Sequence, residues 1–368
     1  PPFYFFSSVF NCLSLIFIVL LLLLIRVYFW TVDSYKFFKN LGLPYEEPKF
    51  LIGNLRNYPL ISKNKHQFYF VEEIYKKHAD KTYVGFFKFR KPMLMIRDPI
   101  ICQQVFTTYF EHFCNRPGPP VDPKKDPLSN HLINMQVADI HSTELSFDTN
   151  DPTSEANKDY ITESIIMSNT FLFLTTGYES TATTTASVLY ELALNEDVQE
   201  KVRQEVRDHI GQWSYSSIAS LKYLDQVICE SQRLHPVNTS LSRQCTSDQF
   251  KLPGTDVYIP RGTHVCIPTF AMYKDPKFFS NPDRFNPENF SKENTKQLKI
   301  LCPFGEGPRQ CIAKSYSLIE VKLAIAHLIL KFKFKRCSKT DVPLQYIPEK
   351  LFITPANGIW IGFEKILS

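Results

Sequence analysis

A glycine- and proline-rich loop directly before a cysteine is the feature that most restricts what this chain can become. The segment PFGEGPRQCIAKSYS (residues 303–317) contains two glycines and two prolines, and apolar residues at helical spacing follow Cys311. A thiol at the start of a helix lies in the positive field of the helix dipole, and Arg309 adds a positive charge nearby. Both effects favour the thiolate, so the segment predicts that Cys311 is a ligand or a nucleophile.

Composition narrows the class of protein. The 368 residues, 44% of them apolar, are enough for one large domain or two ordinary ones. A net charge of +5 without a long basic block argues against a nucleic-acid partner. The nine cysteines are odd in number and form no C-x-x-C pair, which disfavours both a disulfide scaffold and a zinc site. They predict a reducing compartment for the globular part.

The N-terminus predicts a membrane anchor. Residues 1–25 carry no charge, and LIFIVLLLLLI is an uninterrupted apolar run. Together with residues 3–14, this run is long enough for a transmembrane helix of about 20 residues. Arg26 and Lys36 follow, which places that side in the cytoplasm, with Trp30 at the interface. The alternative is a cleaved signal peptide, but there is neither a basic start nor a small-residue cleavage site.

The chain is predicted to have three parts: an anchor (1–30), a proline hinge (31–55) and a globular domain (56–368). Within the domain, residues 116–159 are rich in Pro, Asp, Asn and Ser and predict irregular structure. The apolar stretch 160–195 predicts a long helix buried through the domain centre.

Three further helices and several short strands are expected. Residues 196–211 form an amphipathic pattern that ends at a glycine, and 222–235 predict the next helix. Residues 99–113 suggest another helix, KFKFKRCSK (331–339) suggests an exposed strand or helix end, and LFITPANGIWIGFEKI (351–366) suggests a hairpin. The fold class is therefore mainly α with small β-sheets (α+β).

Two helical motifs combine polar groups in unusual ways. LTTGYEST places Gly177, Glu179 and Ser180 in an apolar helix, where the glycine costs about 1 kcal/mol and the acid is costly to bury. ESQR places Glu230 and Arg233 on one helix face. Taken singly, LTTGYEST is explained by a kinked helix, and ESQR is explained by a surface ion pair.

Together with the proline-punctuated loop NPDRFNPENF and the cysteine loop, the motifs closely resemble the cytochrome P450 family, in particular its membrane-anchored animal members. The family signature F-x-x-G-x-R-x-C-x-G is met by Phe304, Gly307, Arg309 and Cys311. The resemblance implies a heme-thiolate monooxygenase fold with heme b, in which Cys311 is the axial ligand of the iron. It also implies that Arg309 and Arg243 pair with the heme propionates, and that Phe304 packs beneath the sulfur side.

On the opposite heme face, the resemblance makes Glu179 and Ser180 the acid–alcohol pair that relays protons to dioxygen, with Gly177 leaving room for it. Glu230 and Arg233 are implied to be structural, tying their helix to the NPENF loop.

Several positions depart from the family pattern. Asn289 stands where an arginine is usual, so the three-member Glu–Arg–Arg cluster is one charge short. Ala313 replaces the last glycine of the signature, Thr176 an alanine, and Ser180 a threonine.

The chain is also shorter than its family, and the shortfall falls between about residues 116 and 159, where members build helices that roof the substrate pocket. One of those helices carries a tryptophan that helps to hold a propionate, and this segment contains no tryptophan. The resemblance therefore implies a fold truncated in this region.

The function implied is oxidation of small apolar organic compounds with O2 and electrons from an NADPH-dependent flavoprotein reductase. The enzyme would sit in the endoplasmic reticulum membrane with its catalytic domain facing the cytosol. The alternative is a truncated, catalytically inactive member (a splice form, a pseudogene product or a faulty gene model) with weak or no heme binding. Isomerases on the same fold, which need no reductase, are a third class, and the Glu179–Ser180 pair argues against them.

Overall fold

The computed structural model describes residues 2–55, 67–116, 163–209, 211, 213–347 and 353–366. The described part is mainly helical with small sheets, which confirms the predicted α+β class. Its helices are α1 (Pro2–Tyr35), α2 (Phe37–Asn40), α3 (Gln67–Lys77), α4 (Pro99–Phe106), α5 (Glu163–Leu194), α6 (Glu196–His209), α7 (Tyr215–Ala219), α8 (Lys222–Leu234), α9 (Thr269–Tyr273), α10 (Thr295–Ile300) and α11 (Lys314–Lys331).

The strands form one sheet of four strands and two smaller pairs. They are β1 (Tyr83–Lys88), β2 (Lys91–Ile96), β3 (Leu241–Gln244), β4 (Gln249–Lys251), β5 (Tyr258–Pro260), β6 (His264–Ile267), β7 (Phe332–Lys335) and β8 (Gly362–Lys365). The larger sheet has the order β1-β2-β6-β3, in which β2 and β6 are parallel and the other neighbours are antiparallel. The remaining pairs are β4-β5 and β7-β8.

Helix α1 contains an apolar stretch that is long enough to cross a membrane. Within the stretch Leu15–Tyr35, an 18-residue window has a mean hydropathy of 2.6, and only 6% of that window is buried. The helix continues five residues past the anchor limit predicted at residue 30. Phe38 of α2 then packs onto Gly85 of β1, where an added Cβ would lie 2.3 Å from the Phe38 ring. The end of α1 is therefore joined closely to the sheet.

Two apolar clusters form the core. One joins the larger sheet to α3, α4 and α9, and the other lies among α5, α6, α8 and α11. Helix α6 confirms the predicted amphipathic helix and ends at His209, just before Gly211. Its buried Arg203 donates through Nε to the carbonyl of Ile329 (2.9 Å) and through Nη2 to that of Phe332 (3.2 Å). These bonds satisfy carbonyl groups at the C-terminal end of α11, which otherwise lack partners.

The long helix predicted over 160–195 exists as α5, but its burial through the domain centre was wrong for the N-terminal half. Phe171, Phe173 and Leu174 are 51%, 55% and 69% exposed, whereas Val188 and Leu192 are completely buried. The reason is that the apolar cluster shared with α8 and α11 takes in residues of the C-terminal half of α5, from Val188 onward.

The C-terminal hairpin predicted over 351–366 was also wrong. The strand found there in the described residues, β8, pairs antiparallel with β7, which follows α11. This pairing covers Phe334, which is fully buried, so the stretch 331–339 is only partly the exposed strand that was expected. The helix expected over 99–113 ends at Phe106 and resumes as a 3₁₀ turn at Phe110–His112. The predicted irregular segment after residue 116 lies outside the described residues.

Candidate functional site

Backbone hydrogen bonds close the cysteine loop on itself. The Cys311 amide donates to the carbonyl of Phe304 at 2.8 Å, and the Gly305 amide donates to that of Cys302 at 3.0 Å. A 3₁₀ turn over Gly307–Arg309 lies between these bonds. The position of the cysteine is thus held by main-chain hydrogen bonds rather than by contacts with side chains.

Gly307 lets this loop pack against the C-terminal end of α4. Its φ is +71°, and a Cβ built on it would lie 1.9 Å from the carbonyl oxygen of Phe106. A side chain at this position would therefore meet both backbone strain and a direct clash with main-chain atoms. The requirement for glycine follows from this contact, which the sequence pattern alone did not reveal.

The thiol of Cys311 is accessible. Cys311 is exposed, as are its neighbour Ile312 (85%) and Tyr316 (73%) in the first turn of α11. Helix α11 begins at Lys314, with Ala313 as its N-cap. The cysteine therefore lies just before the first turn of the helix rather than within it, which is close to its predicted position at the N-terminus.

Three arginines from distant parts of the chain meet beside this loop. Arg243 and Arg309 are only 2% and 6% exposed, and Arg116 donates through Nη2 to the carbonyl of Arg309 at 3.2 Å. Arg243 donates through Nη1 to the Ser242 carbonyl at 2.9 Å and stacks 4.6 Å from the ring centre of Phe106. Its Nε is buried without a hydrogen-bond partner among the described residues.

The electrostatics of this arginine group favour an anionic ligand. Burial, together with the positive charges of Arg116 and Arg309, lowers the pKa of Arg243 to about 9. Buried cations that repel one another are costly unless an anion is bound near them. The two propionates of heme b supply such charges, so these residues fit the cofactor. The resemblance predicted Arg243 and Arg309 for this site but not Arg116. No local sequence pattern indicates that Arg116 belongs to the group.

The residues predicted for the opposite heme face lie on the exposed half of α5. Glu179 is exposed, and a Cβ added to Gly177 would have no described atom within 4 Å. The Ser180 hydroxyl donates to the carbonyl of Thr176 at 2.6 Å, one turn back in its own helix. The structure therefore keeps these side chains on one helix but directs the Ser180 proton to the backbone rather than to Glu179.

Glu230 and Arg233, by contrast, form a completely buried ion pair on α8. Nε and Nη2 of Arg233 donate to the two carboxylate oxygens of Glu230 at 2.7 and 2.8 Å. Asn289 donates through Nδ2 to the same carboxylate at 3.1 Å, in the position where the sequence lacks the expected arginine. Arg233 also donates to three carbonyl groups of the following segments: Tyr273, Pro282 and Arg284. The cluster thus joins α8 to the loop that contains Asn289.

An accessible cysteine on a glycine-supported loop, beside buried arginines, is the arrangement expected of a protein that binds heme through a thiolate. Comparison with known proteins agrees with this geometry. The cytochrome P450 family model matches residues 142–362, well over half of the chain. The chain therefore belongs to the cytochrome P450 family, whose cofactor is heme b with cysteine thiolate ligation.

Curated insect proteins resemble the chain. It is 39% identical over 208 residues to the probable cytochrome P450 6a21 of Drosophila melanogaster, which is 55% of this chain and 41% of that protein. It is 36% identical over 206 residues to cytochrome P450 6k1 of Blattella germanica, covering 54% and 39%. With cytochrome P450 6A1 of Musca domestica it shares 35% over 227 residues, covering 59% and 44%. The matched part of the chain thus spans about two fifths of the length of these relatives.

Proposed function

We propose that this chain is a membrane-anchored heme-thiolate monooxygenase that oxidises small apolar organic compounds. Its electrons would come from an NADPH-dependent flavoprotein reductase. The observation that carries the proposal is the accessible Cys311 thiol, held by main-chain hydrogen bonds beside the buried side chains of Arg243 and Arg309.

On the cysteine side, the chain's own residues bind and orient. Cys311 would ligate the iron, and Phe304 would pack beneath the sulfur side of the ring. Arg243 and Arg309 would hold the propionates, and Arg116 adds positive charge to the same group. When bound, heme supplies an iron centre at which dioxygen can be reduced and cleaved.

On the side of α5, Ser180 and Glu179 would hold and move protons. The Ser180 hydroxyl now donates to the Thr176 carbonyl, so it must reorient, by rotation about χ1 or about the Cβ–Oγ bond, to donate elsewhere. Serine lacks the second branch at Cβ that restricts threonine, and this rotation is therefore easy. Gly177 leaves open space beside the pair, since a Cβ there would touch no described atom.

The proposed arrangement in the cell follows from α1. Its apolar stretch would anchor the chain in the endoplasmic reticulum membrane, and Arg26 and Lys36 would keep the following hinge and catalytic domain on the cytosolic side. The division into anchor, hinge and domain belongs to this proposal.

The alternative is a catalytically inactive member that binds heme weakly. The observation that favours it is the apolar N-terminal half of α5, where Phe173 and Leu174 are more than half exposed. If this surface stays wet, water reaches the face where dioxygen would bind, and control over the reaction is lost. On this alternative the chain would retain heme poorly and lose reducing equivalents as peroxide.

The first experiment tests whether Cys311 is the iron ligand. Carbon monoxide added to the reduced full-length chain should produce the red-shifted Soret band of thiolate ligation, and Cys311→Ser should abolish the band. Cys337→Ser, which changes another exposed cysteine, should leave the band unchanged. A band that persists in Cys311→Ser would show that the ligand is assigned wrongly.

Heme occupancy and coupling are then measured in the same preparation. Full occupancy with tightly coupled substrate oxidation supports the monooxygenase. Substoichiometric heme, together with peroxide and no oxidised product from any apolar compound supplied, supports the inactive form.

A further inference from the structure

The sheet formed by β7 and β8 has two edges, and its register shows which backbone groups face outward. The Ile366 amide donates to the Lys331 carbonyl at 2.9 Å, so these opposite residues form a hydrogen-bonded pair. Hydrogen-bonded and non-hydrogen-bonded pairs alternate along antiparallel strands. Phe334 and Phe363 are therefore a non-hydrogen-bonded pair, and their N–H and C=O groups point away from the partner strand. The same holds for Lys365, two residues along β8.

Side chains of α6 close the edge at β7. Gln199 accepts from the Phe334 amide through Oε1 and donates to the Phe334 carbonyl through Nε2, both at 2.9 Å. Arg203 donates to the Phe332 carbonyl at 3.2 Å. Both side chains are buried. The outward backbone groups of β7 thus have partners, and no further strand can pair there.

The edge at β8 has no such cover within the described part of the chain. There, the outward backbone groups of Phe363 and Lys365 have no hydrogen-bond partner. The Phe363 ring packs 5.3 Å from the ring centre of Phe334, yet Phe363 is 48% exposed. Trp360, just before β8, is 50% exposed. An open edge beside exposed apolar rings is a surface on which another strand can pair.

Unpaired positive charges lie around the open edge. Arg336, Lys339 and Lys365 are exposed and form no ion pair among the residues that the structure describes, whereas the two lysines of β7 each pair with a glutamate. Arg336 directly follows β7, and Lys339 lies 4.7 Å from the ring centre of Trp360. This excess charge favours a strand that carries carboxylates. It disfavours a second copy of this chain, which would bring the same positive charges.

The open edge is remote from the cysteine loop. Cys311 lies just before α11, and β7 begins directly after the other end of that helix. The 18 residues of α11 separate the two ends by about 27 Å. A strand bound at β8 therefore leaves the cysteine loop accessible.

We propose that the open edge of β8, residues 362–365, binds an extended acidic segment of a partner protein as a third strand. Backbone hydrogen bonds to the outward groups of Phe363 and Lys365 supply the affinity. An apolar side chain opposite Phe363 and a carboxylate opposite Lys365 supply the specificity, since residues two apart lie on one face of a strand. The inference does not rest on the proposed monooxygenase, because it involves neither heme nor its ligand.

The test uses the full-length chain in detergent and a short fluorescent peptide in which threonine alternates with glutamate, valine and glutamate. The peptide reads the same in both directions, so it presents valine flanked by carboxylates in either strand orientation. One control peptide has lysine in place of glutamate. The other has the original sequence with its backbone amide nitrogens methylated, so it cannot donate to a strand edge.

Fluorescence anisotropy should show that the acidic peptide binds about tenfold or more tightly than either control. Its affinity should fall as the salt concentration rises, because salt screens the attraction between exposed charges. If the methylated peptide bound as tightly as the acidic one, strand pairing would be refuted. If the lysine peptide did so, the acidic specificity would be refuted.

Proline variants distinguish the open edge from the hydrogen bonds inside the sheet. Lys365→Pro removes an outward N–H, so the unfolding midpoint should change little while peptide binding weakens about tenfold. Glu364→Pro removes an N–H that faces β7 and should lower the midpoint. Lys365→Glu keeps the backbone and should shift the preference toward the lysine peptide. Unchanged peptide binding by both Lys365 variants would overturn the proposal.

Amide hydrogen exchange shows whether the edge is already covered. In the chain alone, the amides of Phe363 and Lys365 should exchange quickly and that of Glu364 slowly, and the acidic peptide should slow the first two. Slow exchange at all three positions without peptide would overturn the proposal. Light scattering would then identify the cover, since a doubled mass indicates a second copy and a single mass indicates another segment of this chain.

Discussion

Replacing Arg243 with methionine should stabilise the heme-free protein and weaken its binding of heme. The buried guanidinium has an Nε without a partner among the described residues, and burial beside other positive charges lowers its pKa to about 9, well below the usual value of arginine. A difference of this size corresponds to roughly 5 kcal/mol against the charged form. Methionine keeps the unbranched apolar stem but loses the stacking on Phe106. The expected net gain for Arg243→Met is therefore about 1–3 kcal/mol.

The pH dependence has a definite sign. The folded-state pKa of Arg243, about 9, lies below the unfolded value, so between these two values the unfolded chain binds more protons. The destabilisation is fully present below pH 9 and is relieved as the pH rises through this window. The advantage of Arg243→Met should consequently be largest at neutral pH and shrink by about pH 10 or above.

The assay is urea unfolding of the heme-free full chain in detergent, followed by heme titration. Loss of a charge-assisted bond to a propionate should weaken heme binding by about ten- to a hundredfold. Arg261→Met is the matched control, because Arg261 is exposed and paired with Asp248, and it should change stability by less than about 0.5 kcal/mol. Our account of the arginine group would be refuted if Arg243→Met destabilised the heme-free chain and left heme affinity unchanged.

Three further predictions concern the loop, the buried ion pair and the anchor. Gly307→Ala should destabilise the protein by about 3 kcal/mol or more, because its Cβ would meet the Phe106 carbonyl at 1.9 Å. Gly254 is the control, since it has a similar φ of +73° but open space around it, and Gly254→Ala should destabilise the protein by about 1 kcal/mol. Equal losses of stability in thermal unfolding would contradict this. Arg233→Met should lower the free energy of unfolding by about 3–5 kcal/mol, because it leaves the carboxylate of Glu230 buried without its ion-pair partner. A loss below about 1 kcal/mol in urea unfolding would argue against a stabilising role of Arg233. Alkaline carbonate should leave the full chain in the membrane pellet, and its release would count against a spanning α1.

Features encoded within a few consecutive residues could be predicted from the sequence. The cysteine loop was recognisable because glycine and proline set local backbone angles, and α6 because its apolar residues recur at helical spacing. The proximity of Glu230 and Arg233 followed from three-residue spacing on a helix, which brings side chains together on one face. The apolar stretch of α1 was evident from length and composition alone.

Tertiary structure decided what depends on distant parts of the chain. Strand β8 pairs with β7 rather than within a hairpin. The free backbone N–H and C=O groups at the edge of a strand can bond to any strand that packing brings alongside. The apolar pattern of α5 predicted burial along its whole length, but only neighbouring helices determine which half is covered.

The arginine group shows the same limit at the site itself. Arg116, Arg243 and Arg309 come from three separate segments, and no periodicity in any of them indicates that the three meet. Local sequence sets the dihedral angles of the backbone and the faces of helices and strands. Charges that are distant along the chain become neighbours only when the intervening chain has packed.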